Sequence, residues 1–212
     1  MQRAILLHAP LVPGLAPRWA PSLLQALPYG KRLELERRPS EACLASLSGL
    51  ALAFTAVARL VRAPCAVRAL EFAEGGKPRF AQGPSFSVSH TQGHVCAVVA
   101  GGDDVGVDVE RVPGAAADLD RLRRWTAIEA TLKAAGLGLP RHGAVQLARD
   151  FANATLQGTR YALRPWAPAA DATGHVASRG PIALEIDALD LAGAEVSAAV
   201  ERALGLAPEL EQ

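Results

Sequence analysis

Two carboxylates stand two positions apart in the apolar stretch VGVDVERV, residues 105–112. In a β-strand, Asp108 and Glu110 would point to the same face, because side chains alternate between the two faces along a strand. Carboxylates this close repel each other, so their face must be solvated, or a cation or basic side chains must neutralise it. Mg²⁺ is one such cation, because it takes oxygen ligands and shares them with substrate phosphates. The alternative is an acidic, solvent-exposed strand face.

Two further blocks carry reactive side chains. Residues 86–90, Phe-Ser-Val-Ser-His, place His90 where a predicted strand enters a turn, a position from which an imidazole can bind phosphate, act as an acid or base, or cap the loop. In the block 125–136, Glu129 and Lys133 are four residues apart and share one face of a predicted helix. Such a pair is also an ordinary surface ion pair, so neither block identifies an activity alone.

Composition excludes some classes of partner. The chain has 212 residues with 22 basic and 21 acidic side chains, for a formal net charge of +1. No overall field therefore attracts nucleic acid or an anionic membrane. The three cysteines are isolated, odd in number and without metal-ligand spacing. This usage predicts reduced thiols in a cytoplasmic protein.

Two apolar segments resemble membrane or targeting sequences. The N-terminal run is interrupted by His8, Pro10 and Pro13 and has no clear small-residue cleavage site, which predicts a first strand at residues 3–8 rather than a signal peptide. Residues 46–61 form the most apolar segment, but polar residues interrupt it and it falls short of a bilayer crossing. We therefore expect a buried helix there and no membrane span.

The remaining pattern predicts an α+β chain. A basic turn is expected at residues 29–32, and Ser40 is the expected N-cap of a long helix. Residues 95–100 and 105–110 have the pattern of a hairpin around the turn 101–104. Further predicted strands are 69–72, 85–89, 160–163, 175–178 and 183–186, and predicted helices are 21–27, 40–62, 118–135 and 194–204. The mix indicates two similarly built halves that meet near residue 105.

Four blocks in this order resemble the 4′-phosphopantetheinyl transferases, specifically the double-length, surfactin-synthetase-activating type. These blocks are Gly76-Lys77-Pro78, Ser89-His90, Gly106-Val107-Asp108-Val109-Glu110 and residues 125–136, and the resemblance covers residues 28–139. It implies a pseudo-dimer of two α+β halves with the active site in the cleft between them. Residues 1–104 would supply contacts to the phosphates of coenzyme A, and residues 105–212 would supply the metal ligands and catalytic groups.

The resemblance also implies a reaction. A Mg²⁺-dependent enzyme of this type transfers the 4′-phosphopantetheine arm of coenzyme A to a serine of an acyl or peptidyl carrier protein. The products are holo-carrier protein and adenosine 3′,5′-bisphosphate. The carrier protein and coenzyme A would be its partners, with no nucleic acid or membrane involved, and the chain would be a cytoplasmic monomer.

Site residues are assigned by the same resemblance. The implied Mg²⁺ ligands are Asp108, Glu110 and Glu129. The implied catalytic residues are Glu129, Lys133 and His90, with Glu129, or a water it holds, accepting the proton of the attacking serine. The implied coenzyme A contacts are Lys31, Arg38, Lys77, Pro78, Ser89, His90 and Lys133.

The chain departs from the family pattern at three places. Ile128 stands where relatives have a lysine before the metal-binding glutamate, and Ala45 stands where they have an arginine that binds the adenine nucleotide. The segment 111–124 is shorter than its counterpart, and its arginines either meet an acidic carrier protein or form a solvated helix face. The candidate substitutes for the missing arginine are Arg37, Arg38 and Lys31.

These departures leave two alternatives to the active enzyme. One is a degenerate relative that binds coenzyme A or a carrier domain without catalysis. The other is an unrelated α+β protein in which the motifs occur by chance. The three retained acids favour the enzyme, because their mutual repulsion destabilises a fold that makes no use of a cation.

Overall fold

The computed structural model describes residues 2–63, 65–72, 77–102, 104–114 and 119–206. The strands are Gln2–Pro10 (β1), Leu70–Phe72 (β2), Pro78–Phe80 (β3), Ser85–Thr91 (β4), His94–Ala100 (β5), Val105–Arg111 (β6), Gln146–Leu147 (β7), Asn153–Leu156 (β8), Thr159–Trp166 (β9), Ala172–Ser178 (β10) and Ile182–Ala188 (β11). The α-helices are Ala20–Ala26 (α1), Tyr29–Glu36 (α2), Ser40–Val61 (α3), Leu119–Ala134 (α4) and Ala194–Leu204 (α5), with 3₁₀ turns at Val67–Ala69 and Leu139–Ala144. The predicted α+β class is confirmed.

Two main sheets organise these elements. The first has the strand order β11-β1-β5-β4 and the second has the order β6-β10-β9-β8-β7, while β2 and β3 form a separate ribbon. β1 is parallel to β11 and antiparallel to β5. Helices α3 and α5 pack on one side of the first sheet, and α4 packs on β6 and β10 of the second.

The first sheet is buried on both faces. Ile5 and Leu7 of β1 join the apolar core under α3, and Ala4 and Leu6 join a second core shared with β6 and β10. This explains why β1 is an almost continuous apolar run. The expectation that the apolar helix segment falls short of a bilayer crossing is wrong, because α3 extends to Ser40 and has the length and apolar composition of a membrane span. Most of its apolar window is nevertheless buried within the fold. The prediction of a buried helix is confirmed.

The predicted hairpin between residues 95–100 and 105–110 is wrong. β5 forms its hairpin with β4 instead, through a turn in which Gly93 has a φ of +84°. β6 pairs along its whole length with β10, more than sixty residues later in the sequence. Short-range patterning identifies the strands correctly, but it carries no information about a partner so distant in sequence.

Hydroxyl groups join the edge strands of the two sheets. On β4, Ser85 and Ser87 accept hydrogen bonds from the backbone N–H groups of Val105 and Val107 on β6, at 3.3 and 3.2 Å. The backbone N–H of Arg111 likewise donates to Thr91 at 3.3 Å. Side chains thus take the place of a backbone ladder between β4 and β6, and they hold the two strands in a fixed register.

Several predicted boundaries need correction. The turn expected at residues 29–32 is the start of α2, which follows Pro28 and buries Leu35. Ser40 is the first residue of α3 rather than its N-cap, and its neighbour Pro39 occupies the cap position without a side-chain hydrogen bond. The predicted loop glycine Gly76 and the predicted helix start at Asp118 lie outside the described residues. The prediction of α5 is confirmed, with Gly205 following it at a φ of +73°.

The chain returns to the first sheet at its end. β11 pairs with β1, and α5 packs against α3. The first sheet therefore contains strands from both sides of residue 105. The division into 1–104 and 105–212 stays a prediction.

Gly106 allows α4 to lie directly on β6. A Cβ atom at this position would lie 2.1 Å from the carbonyl oxygen of Ala130 and 2.4 Å from the amide nitrogen of Ala134. Because both atoms belong to the helix backbone, Gly106→Ala must displace α4, at a cost of about 1–3 kcal/mol in the free energy of unfolding. Urea unfolding measures the loss. Gly143→Ala is the matched control, because a Cβ there meets nothing within 4 Å, and equal stabilities of the two variants would contradict this packing.

Candidate metal and phosphate site

One pocket of about 320 Å³ contains most of the predicted site residues. Its wall combines residues of α2, α3, β4, β6 and α4 with side chains of β2 and β3. The predicted residues in its lining are Lys31, Arg38, Pro78, Ser89, His90, Asp108, Glu110, Glu129 and Lys133. The sequence predictions thus converge on a single concave surface, with Lys77 as the exception.

Three carboxylates meet on the α4 side of β6. Asp108 and Glu110 lie on the same face of the strand, as alternation predicts, because Val107 and Val109 are buried in the apolar core on the other face. Glu129 of α4 completes the group, and each residue offers a carboxylate oxygen within 4.8 Å of the others. Asp108 is only 2 % exposed. The acidic face therefore lines a pocket, with Asp108 buried at its base and Glu110 and Glu129 partly exposed.

Lys133 is the internal counter-ion of this cluster. Its Nζ lies 2.6 Å from Oδ1 of Asp108 and 3.8 Å from Oε2 of Glu129. It also donates to Oγ of Ser89 at 3.0 Å, and Ser89 in turn donates to Asp108 at 2.8 Å. Burial alone would lower the pKa of Lys133, but Asp108 and then Glu129 outweigh it and raise the pKa. One ammonium thus faces three carboxylates.

Glu129 and Glu110 hold their protons more tightly than isolated glutamates do, since the pKa of each is raised. The pKa of Glu129 is raised to about 7, first by burial and then by the charge of Asp108. The pKa of Glu110 is raised by the same two causes, although Thr91 donates a hydrogen bond to it at 3.2 Å. Lys133 alone therefore leaves an excess of negative charge in the apoprotein.

Asp108 carries an unfilled acceptor. Its Oδ2 atom is buried and receives no hydrogen bond from the described residues while Glu129 is ionised. A buried acceptor without a partner costs free energy. Protonation of Glu129 or a bound cation satisfies it, and a hard divalent cation such as Mg²⁺ also neutralises the excess charge. The three carboxylates fit such a cation in donor type, number and spacing.

A different part of the lining is basic. Lys31 of α2 lies with its Nζ 5.2 Å from the centroid of the Phe72 ring, and Arg38 donates to Oγ of Ser46 at 3.4 Å. Ala45 itself is buried in α3. Of the three basic residues that the resemblance suggested for nucleotide binding, Lys31 and Arg38 line the pocket and Arg37 does not. These two cations provide a surface for an anionic group.

His90 lies at the exposed edge of the pocket, at the end of β4. Partial desolvation of the ring lowers its pKa, and the positive charges of Lys133 and Arg38 lower it further. The imidazole is therefore mainly neutral at pH 7. In that form it still donates one N–H to a phosphate oxygen.

The structure places Lys77 outside this pocket. Its Nζ donates to the backbone carbonyl oxygens of Val105 and Ala134, both at 3.3 Å. Lys77 thus joins the start of β6 to the C-terminal end of α4, where a positive charge favourably meets the free carbonyl groups. Burial lowers its pKa. The predicted contact between Lys77 and phosphate stays a prediction.

Ile128 has a structural explanation. It is buried in the apolar cluster between α4 and the second sheet, which also contains Leu132, Leu156 and Leu163. It does not line the pocket. An isoleucine at this position therefore adds to the core, and the three acids of the pocket do not depend on it.

Besides the aliphatic residues of the lining, sequence reasoning missed four polar or aromatic residues of the pocket region. They are Glu34, which binds Lys31; Ser46 and Phe72, in the lining; and Thr91, which binds Glu110. The alternation of hydroxyl residues at 85, 87, 89 and 91 signals a polar strand face. The other three have no comparable signal, because they approach the site only through folding.

No protein-family model matches this sequence, and no curated protein matches it significantly. The functional inference for this chain therefore rests on its residues and their geometry.

Lys133 and a divalent cation compete for the same carboxylates. We expect Lys133→Gln to raise the affinity for Mn²⁺, in the absence of any nucleotide, by roughly tenfold, because the variant removes a positive charge adjacent to Asp108. Isothermal titration with Mn²⁺ measures this change. Lys31→Gln is the control, because Lys31 pairs with Glu34 rather than with the triad. A Lys133→Gln variant that binds Mn²⁺ more weakly than the wild type would contradict the competition.

The raised pKa of Glu129 predicts a pH-dependent stability. The unfolded chain releases this proton near pH 4.5 and the folded chain near pH 7. Between these values the folded state binds more protons, so the stability of the wild type relative to Glu129→Gln falls as the pH rises and levels off above pH 7. Urea unfolding in EDTA measures the two curves, and added Mg²⁺ should reduce the fall. Parallel curves would show that the pKa of Glu129 is not raised.

Proposed function

We propose that this protein is a Mg²⁺-dependent 4′-phosphopantetheinyl transferase of the double-length type. The observation that supports this most strongly is the convergence of Asp108, Glu110 and Glu129 within 4.8 Å, in a pocket that also contains Lys31 and Arg38. An acidic cluster suits a metal-bound pyrophosphate, and separate basic side chains suit a further phosphate. Coenzyme A carries both groups.

The proposed reaction transfers a phosphoryl-linked arm to an alcohol. The serine Oγ of an acyl or peptidyl carrier protein forms a bond to the β-phosphorus of coenzyme A, and the bond from that phosphorus to the bridging oxygen breaks. Adenosine 3′,5′-bisphosphate leaves with the bridging oxygen. The carboxylates of Asp108, Glu110 and Glu129 would hold the cation, which when bound stabilises the negative charge of the pyrophosphate oxygens.

Glu129 is the proposed proton acceptor. The carboxylate of Glu129 belongs to the cluster that would hold the cation, so it lies close to the phosphate that the serine hydroxyl would attack. Its carboxylate, directly or through a water, takes the proton from the serine hydroxyl. The motif Trp125 to Gly136 therefore supplies both the base and, one helical turn later, Lys133.

Lys133 and His90 are proposed to bind phosphate oxygens. The ammonium of Lys133 has Ser89, Asp108 and Glu129 within 4 Å, so it lies where the pocket is most acidic. His90 donates an N–H from the edge of the pocket. Together they orient the phosphoryl group toward the attacking hydroxyl, a contribution that arises from positioning.

The proposal includes a pseudo-dimeric architecture. Each main sheet is covered by one long helix, α3 on the first and α4 on the second, which is the arrangement expected of two related α+β halves. We further infer a cytoplasmic location from the isolated, odd-numbered cysteines, and a monomer because the proposed site requires no residue from a second copy.

A binding module for coenzyme A or a carrier domain is the second candidate. It is favoured by the engagement of Lys77 with backbone carbonyls, which removes one cation from the pocket. The shortened segment 111–124 also favours it. Such a module would hold a carrier protein without consuming coenzyme A.

Mass spectrometry of an apo-carrier protein mixed with this chain, coenzyme A and Mg²⁺ separates the two candidates. The transferase adds one phosphopantetheine arm, and EDTA abolishes the gain in mass. Asp108→Ala and Glu129→Gln should each lower the rate at least about 100-fold, because a metal ligand and the base contribute several kcal/mol to catalysis. Glu36→Gln, which removes a surface carboxylate paired with Arg32, should leave the rate unchanged.

Two outcomes would contradict the transferase. One is full activity of the Asp108 and Glu129 variants. The other is no gain in mass on peptide, polyketide and fatty acid carrier proteins from folded protein that binds coenzyme A, which would identify a binding module.

A further inference from the structure

Glu34 occupies the two pocket cations with one carboxylate. Lys31 Nζ donates to both carboxylate oxygens of Glu34, at 3.1 and 3.0 Å, and Nη2 of Arg38 also donates to Oε1. Glu34 is on the helix α2 that carries Lys31, one turn before Arg38. Burial would raise the pKa of Glu34, but the hydrogen bonds and charges of Lys31 and Arg38 outweigh it and lower the pKa. The carboxylate is therefore ionised at neutral pH.

Two groups of charges in this pocket are thus partly neutralised by other side chains of the protein. Lys133 stands among the carboxylates that would hold a cation, and Glu34 stands between the cations that would hold an anion. An anionic ligand that reaches Lys31 and Arg38 must share them with Glu34 or displace it. The carboxylate and the incoming anion also repel each other.

We propose that Glu34 is a specificity-determining residue that sets how strongly this pocket prefers a ligand with a phosphate monoester over the same ligand without it. The inference rests on the proposed function. Coenzyme A has a pyrophosphate, which the acidic cluster would bind through its cation, and one other phosphate, on the ribose 3′ oxygen. That phosphate monoester is the group left to meet Lys31 and Arg38.

The expected effect is moderate because the ion pairs are partly solvated. The side chains of Lys31, Glu34 and Arg38 are 17, 46 and 42 % exposed. Exposed ion pairs of this kind change an equilibrium by about two- to fivefold, and salt screens them. Glu34 thus weakens, without abolishing, the retention of any ligand with the 3′-phosphate, including the bisphosphate product.

The test compares coenzyme A with 3′-dephospho-coenzyme A. Isothermal titration in Mg²⁺ gives the affinity of the wild type and of Glu34→Gln for each ligand. We expect Glu34→Gln to bind coenzyme A about two- to fivefold more tightly and dephospho-coenzyme A with unchanged affinity, and we expect high salt to reduce the gain. Glu36→Gln is the matched control on the same helix, because its partner Arg32 does not line the pocket.

The remaining outcomes overturn either the role of Glu34 alone or the proposed function with it. Weaker binding of coenzyme A by Glu34→Gln, or an equal change for both ligands, would overturn the role of Glu34 while leaving the proposed function intact. Equal gains in Glu34→Gln and Glu36→Gln would do the same, because they would indicate a general charge effect. A wild type that binds neither ligand would overturn the proposed function and this inference together.

Discussion

The ion pair between Lys133 and Asp108 is the interaction on which the rest of the site depends. Asp108 is buried, and a buried carboxylate without a cation costs several kcal/mol. Lys133 lies on α4, one turn after Glu129, and its ammonium offsets this cost. For Lys133 to reach Asp108, α4 must lie directly on β6. Gly106 makes that approach possible. The packing of α4 on β6 and the neutralisation of Asp108 by Lys133 therefore depend on the same helix–strand contact.

The two sheets supply different parts of the site. β4 of the first sheet contributes Ser89 and His90, and β6 of the second contributes Asp108 and Glu110. Hydroxyl side chains of β4 hold β6 where a second backbone ladder would otherwise be needed. These hydrogen bonds fix the register of β6 against β4. A cluster of like charges requires such a fixed register, because its side chains repel one another. The polar residues at alternate positions of β4 thus serve structure and site at once.

The sequence predicts those features that depend on local periodicity. α3, α5 and the common face of Asp108 and Glu110 follow from spacing alone, and all three are observed. Features that depend on distant partners have no local signal: β6 pairs with β10 rather than β5, and Lys77 donates to backbone carbonyls of Val105 and Ala134. Residues 29–32 have the local pattern of a turn, since Pro28 and Gly30 outweigh the helical residues in a short window, but they begin the helix Tyr29–Glu36. Burial of Leu35 in the core favours the helix over the turn, and a short sequence window does not contain that information.

The most direct test of the central claim is anomalous diffraction from crystals of the protein grown with Mn²⁺. We expect an anomalous peak in contact with the carboxylates of Asp108, Glu110 and Glu129. We also expect Nζ of Lys133 to have moved away from Oδ1 of Asp108. Saturating Mn²⁺ without a peak at these carboxylates would contradict the central claim. So would a peak at the triad with the 2.6 Å contact between Lys133 and Asp108 still in place, because the two cations would then not be competing for one site.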